Sequence, residues 1–151
     1  MYTATKDEMP RLLSQLCLPG TFISILNATN MRTLDGLFQE FKKCLRFPEY
    51  FGNNWAAFDD CVTDLDWIDA TGFVLIVEHA ESLLLSDQPE ITTFLRHLHV
   101  AKVYWGKPIH DDEPWDRDSM PFSCILQFDE NSQEMDFVKK YSQHLCNPDL
   151  E

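Results

Sequence analysis

Asp59 and Asp60 stand side by side within Arg46–Asp69, a stretch that opens as a Pro48-anchored aromatic loop, turns at Gly52 and continues as an amphipathic helix. Adjacent carboxylates do acid–base chemistry when their surroundings drive their proton affinities apart. Here they do something simpler. At about 100° per residue, Phe58, Cys61, Val62 and Leu65 form one apolar stripe, and Ala56, Asp59, Asp60 and Thr63 lie opposite it. The apolar side docks the helix and the two carboxylates face outward. Like charges in water repel weakly, and a cationic partner relieves that repulsion. Glu49, Tyr50 and the Gly52 turn lead onto the same end, setting an exposed aromatic beside unpaired acids, the pattern of binding hot spots. The chemistry expected is recognition of a basic surface through Glu49, Tyr50, Gly52, Trp55, Ala56, Asp59, Asp60 and Thr63.

Other constellations carry less. His110–Asp111–Asp112–Glu113 are consecutive in a loop, which seldom brings side chains together on one ion, and no His pair four residues apart supports a metal. His97 and His99 are two apart on a helix and point in different directions. There is no glycine-rich phosphate loop, nucleophile elbow or Cys–His motif. No catalytic residue, metal or cofactor is expected.

The charge balance agrees with that chemistry. Net charge is −13 over 151 residues. Between Phe47 and Leu95 there is no Lys or Arg, yet Glu49, Asp59, Asp60, Asp64, Asp66, Asp69, Glu78, Glu81, Asp87 and Glu90 all fall there. Such a chain repels the phosphates of nucleic acids and anionic membranes and attracts a basic protein. An apolar content of 44% supports a single core. Cys17, Cys44, Cys61, Cys124 and Cys146 are widely spaced among apolar neighbours, as buried thiols in a reducing compartment would be. Lys6, Asp7, Glu8 and Pro10 precede any apolar run, unlike a signal peptide, and no segment reaches the length of a membrane span. A soluble, cytoplasmic protein is expected.

The elements that must hold this surface can be read in order. Leu12, Leu13, Leu16 and Cys17 suggest a short helix ended by Pro19–Gly20. A strand is expected over Thr21–Leu26. The next helix carries Leu34, Leu37, Phe38, Phe41 and Leu45, capped by Asn30 or Thr33. Lys42, Lys43 and Arg46 close it, and Pro48 stops it. Asn53 or Asn54 caps the acidic helix, and Gly52 suits a positive-φ turn. Five apolar residues, Phe73–Val77, read as a central strand covered on both faces. A helix starts near Ser86–Glu90, with Asp87 and Glu90 spaced for a capping box, and buries Ile91, Phe94, Leu95, Leu98 and Ala101. Residues 107–121 read as a polar loop, Phe122–Phe128 as a strand, and a last helix carries Met135, Val138, Tyr141 and Leu145. Strands alternating with helices predict a small parallel α/β sheet in one domain, 1–151.

Pro48–Glu49–Tyr50–Phe51–Gly52–Asn53–Asn54 followed by Asp60–Cys61 resembles the barstar family, intracellular inhibitors of barnase-type ribonucleases. Lys42–Lys43 before the loop and the element order from Gly20 to Phe128 fit it as well. The resemblance implies a barstar-like core over 20–128 with a three-stranded parallel sheet, helical extensions at 1–19 and 129–151, and an insertion over 103–121. It implies no catalysis. Loop and helix would plug the active site of a basic extracellular-type or toxin ribonuclease, as an antitoxin or immunity protein does. Tyr50, Gly52, Trp55 and Asp60 match contact positions, with Asp60 the chief carboxylate. Ala56 stands where the family has aspartate and Asp59 where it has tryptophan. The alternative is a barstar-fold interaction module that binds a different basic protein.

Overall fold

The computed structural model describes residues 1–145. Nine elements run β1 (Tyr2–Thr5), α1 (Met9–Leu16), β2 (Thr21–Asn27), α2 (Leu34–Cys44), α3 (Trp55–Asp64), β3 (Gly72–Glu78), α4 (Glu90–Trp105), β4 (Phe122–Phe128) and α5 (Asn131–Leu145). The strands form one parallel sheet in the order β1-β4-β3-β2. The sheet is parallel as expected but has four strands where three were expected. Tyr2–Thr5 pairs with Ile125–Phe128, so the N-terminal extension begins as a strand before becoming helical. A four-residue strand with no turn residue before it leaves little periodic signal.

Strand β3 is buried along all but its last residue, which fits its unbroken apolar run. Its two faces meet different layers. Phe73, Leu75 and Val77 join Leu26, Phe122, Cys124, Leu126 and Phe128 in the main core, under the helices that follow β2. Val74 and Ile76 join Ile125 and Ala4 against Met9, Leu12, Leu13 and Leu16 of α1. At Gly20 the chain turns with φ 86°, and a Cβ there would lie 2.6 Å from Thr71 Oγ1, so this turn needs glycine.

The helix assignments from periodicity hold for α2 and α4, whose buried residues include Leu37, Phe38 and Phe41, and Ile91, Phe94, Leu95, Leu98 and Ala101. Thr33, not Asn30, caps α2, its side chain accepting from Gly36 N–H. Asn30 instead donates to the buried Glu40. The capping box at α4 does not form. Asp87 accepts from Leu34 N–H at 2.7 Å and so serves the start of α2, while Pro89 takes the N-cap position of α4. Helix α5 packs through Phe137, Tyr141 and Leu145, whereas Met135 and Val138 are exposed. Cys61 and Cys124 are buried, but Cys17 and Cys44 are only half-buried; all four are free thiols, and Cys146 lies outside the described residues. No helix among the described residues is long and apolar enough to cross a membrane.

Candidate functional site

The loop between α2 and α3 is held by its aromatic side chains. Phe47 and Phe51 are buried and meet edge to face, with centroids 5.0 Å apart. Each also contacts a core ring, Phe47 on Phe58 and Phe51 on Phe38. With both neighbours committed inward, Tyr50 is left 78% exposed. Gln39 donates to Asn53 Oδ1 and ties the loop to α2. The positive φ expected at Gly52 falls instead on Asn53, at 50°. Asparagine tolerates that region better than most residues. Asn54 supplies the cap, accepting from Ala57 N–H at 2.9 Å.

Helix α3 divides as its periodicity predicts. Phe58, Cys61, Val62 and Leu65 are buried, and Ala56 and Asp60 are exposed. Glu49 is fully exposed and lies 3.6 Å from Lys42 Nζ. Thr63 is half-buried and donates to the carbonyl of Asp59. Asp59 departs from the expected outward pose. Its Oδ1 lies 2.5 Å from Nδ1 of His97, on α4. The His97 ring in turn stacks on Trp55, with centroids 4.6 Å apart and planes 11° from parallel. Trp55 donates its indole N–H to Glu90 at 2.9 Å. Asp60 is therefore the outward carboxylate of the pair, while Asp59 is anchored across the α3–α4 groove.

His97 and Glu90 are the two residues of this surface that the sequence did not single out. A signal was present, however. Trp55 and Asp59 are four apart on α3, and Glu90 and His97 are seven apart on α4, so each pair shares a helix face. That they face one another is a tertiary fact.

His79, Glu81 and Asp129 lie where β3 and β4 end, with their ligating atoms within 4.8 Å of one another. They already form a closed polar network. His79 Nδ1 meets Asp129 at 2.8 Å, Glu81 accepts from Asp129 N–H, and Lys6 Nζ lies 3.5 Å from Asp129. The hydrogen bond from His79 holds the Asp129 carboxyl below its ordinary range.

The fold is a parallel α/β domain whose helix α3 carries an exposed Asp60, with Tyr50 exposed in the loop before it. The comparisons identify the family. The profile for Barstar (barnase inhibitor) matches residues 21–127. The chain belongs to the barstar family, whose members are inhibitors without enzymatic activity. No curated protein matches the chain. Among solved structures, a chain described as the Aeropyrum pernix ORC2 protein in its ADP form superposes with a TM-score of 0.54 at 16% identity, over 91% of this chain and 33% of that one. The present chain thus spans about a third of that protein, and the likeness is one of fold alone.

Proposed function

We propose that this chain is an intracellular inhibitor that binds a basic ribonuclease of the barnase type and covers its active site with the surface formed by Glu49, Tyr50, Gly52, Trp55, Ala56, Asp59, Asp60 and Thr63. The observation that carries this is the exposure of Asp60 on α3 and of Tyr50 in the loop that leads into it, in a segment without Lys or Arg. Asp60 would stand where a substrate phosphate binds, against the arginine, lysine and histidine side chains that a ribonuclease uses. The negative field would speed encounter, and desolvated contacts at Asp60 would slow release.

The test is inhibition of a barnase-type ribonuclease on an RNA substrate, with calorimetry of the complex. Asp60→Ala is expected to weaken binding by about 2 kcal/mol or more, the hot-spot threshold. A loss below about threefold would remove Asp60 from its role.

A second reading rests on a specific pair of departures. Ala56 offers no charge, and Asp59 is engaged with His97. A surface with its charge redistributed in this way suits a barstar-fold module that binds a basic protein other than a ribonuclease. Capture of such a protein from the source cell, lost on Asp59→Lys with Asp60→Lys, would favour it.

A further inference from the structure

The segment 106–121, between α4 and β4, is folded back on the molecule as a strap. Ile109 and Arg117 exchange both backbone hydrogen bonds, at 2.8 and 2.9 Å. The Arg117 guanidinium donates to the carbonyls of Tyr104, Trp105, Lys107 and Asp118 and lies over the rings of Tyr104 and Trp105. Asp116 accepts from the N–H groups of Asp111 and Asp112, both at 2.9 Å. Those bonds keep its carboxyl below the ordinary range, so it stays ionised. The strap is thus a built structure with a defined shape.

Between the strap and the C-terminal end of α3 lies a cleft of about 520 Å³ whose lining includes Asp64, Asp66, Tyr104, Trp115, Asp116 and Arg117. Three carboxylates face one cation, and that cation's donors go to backbone carbonyls. Trp115 is 63% exposed, although its ring is the largest apolar surface of the strap. Burial, together with the neighbouring Asp66, raises the Asp64 proton affinity, as expected of carboxylates crowded without enough positive charge. An open indole face in one cleft with crowded carboxylates is complementary to one chemical group above others. A guanidinium stacks on the ring and donates to carboxylates in the same plane, which an ammonium cannot do.

We propose that this cleft is a second binding subsite, which receives an arginine side chain of the basic partner between Trp115 and the Asp64–Asp66 carboxylates. Asp64 lies one turn beyond Asp60 on α3, and Thr63 borders both surfaces, so one partner can span them. The inference takes from the proposed function only that the partner is basic.

The test uses the full chain and the capped tripeptide acetyl-Arg-Arg-Arg-amide, with the lysine tripeptide as comparison. In nitrogen–proton NMR spectra at about 50 mM salt, where exposed charges are weakly screened, the Trp115 indole and the amides of Asp64 and Asp66 should shift together. Trp115→Ala, which removes no charge, should weaken arginine-peptide binding about fivefold or more, as should Asp64→Asn with Asp66→Asn. A control removing two acids far along the chain, Glu8→Gln with Asp35→Asn, should change it less than twofold. Equal binding of the two tripeptides, or a Trp115→Ala effect no larger than the control, would overturn the subsite. Failure of the ribonuclease reading shows separately, in the inhibition assay with Asp60→Ala. An inhibitor that keeps full potency as Trp115→Ala and shows no peptide shifts would leave the loop-helix surface standing without the cleft.

Discussion

Glu40 is a carboxylate placed inside the molecule, 7% exposed beneath the end of β2. It accepts from Asn27 N–H at 2.9 Å and from Asn30 Nδ2 at 3.2 Å, so it finishes the last backbone donor of an edge strand. Glu40→Ala would strand those donors and is expected to cost about 1–3 kcal/mol. Glu40→Gln keeps an acceptor and should cost less; urea unfolding of the pair checks this, and equal losses would refute it. The thiols give a pH signature. Burial pushes Cys124 up to about 12, and burial with the nearby Glu40 pushes Cys44 up to about 11, from an ordinary 9.0. Both folded values are raised, so the stabilisation is complete below pH 9.0 and is lost as pH climbs toward the folded values, because the unfolded chain sheds protons that the folded chain keeps. The urea midpoint should therefore fall between about pH 9 and 11, and fall less in Cys124→Val. An identical fall in that variant would contradict the assignment.

At the scale of elements, most helices and the central strand were legible because their burial is periodic. Phe58, Cys61, Val62 and Leu65 mark the docking face of α3 without reference to anything outside it. What could not be read locally were side chains recruited by a different element. Asp87 and Glu90 have the spacing of a capping box for α4, yet one accepts from Leu34 N–H at the start of α2 and the other receives the Trp55 indole. Asp59 looked free on its helical wheel because the wheel does not contain α4. Asn53 takes the left-handed turn that Gly52 seemed suited to, a conformation that either residue type permits. The strap is the element most dependent on a single residue. Arg117→Ala removes four carbonyl contacts and two ring contacts, and should speed amide exchange at Ile109 and Arg117 about tenfold or more while β3 amides keep their protection. Unchanged exchange in the strap would show that it is held by something else.

For the molecule as a whole, the net charge is −13 and no Lys or Arg falls between Phe47 and Leu95, with Lys42 reaching Glu49 from α2. Association with a basic partner should slow about tenfold or more between roughly 50 and 500 mM salt, with dissociation changing far less. Stopped-flow mixing over a salt series measures both, and a salt-independent association rate would remove steering from the account. The whole-molecule property least visible beforehand was the fourth strand, because its partner lies so far along the chain.

That placement has a consequence for how the protein comes into being. Tyr2–Thr5 is synthesised ahead of its pairing partner Ile125–Phe128, which follows more than about a hundred residues later. Until then α1 has no complete sheet to lie on, since its apolar side rests on Val74, Ile76 and Ile125 as well as Ala4. A chain that has not yet made β4 therefore carries an unpaired strand and an uncovered apolar helix face, the kind of surface that invites aggregation until the sheet closes.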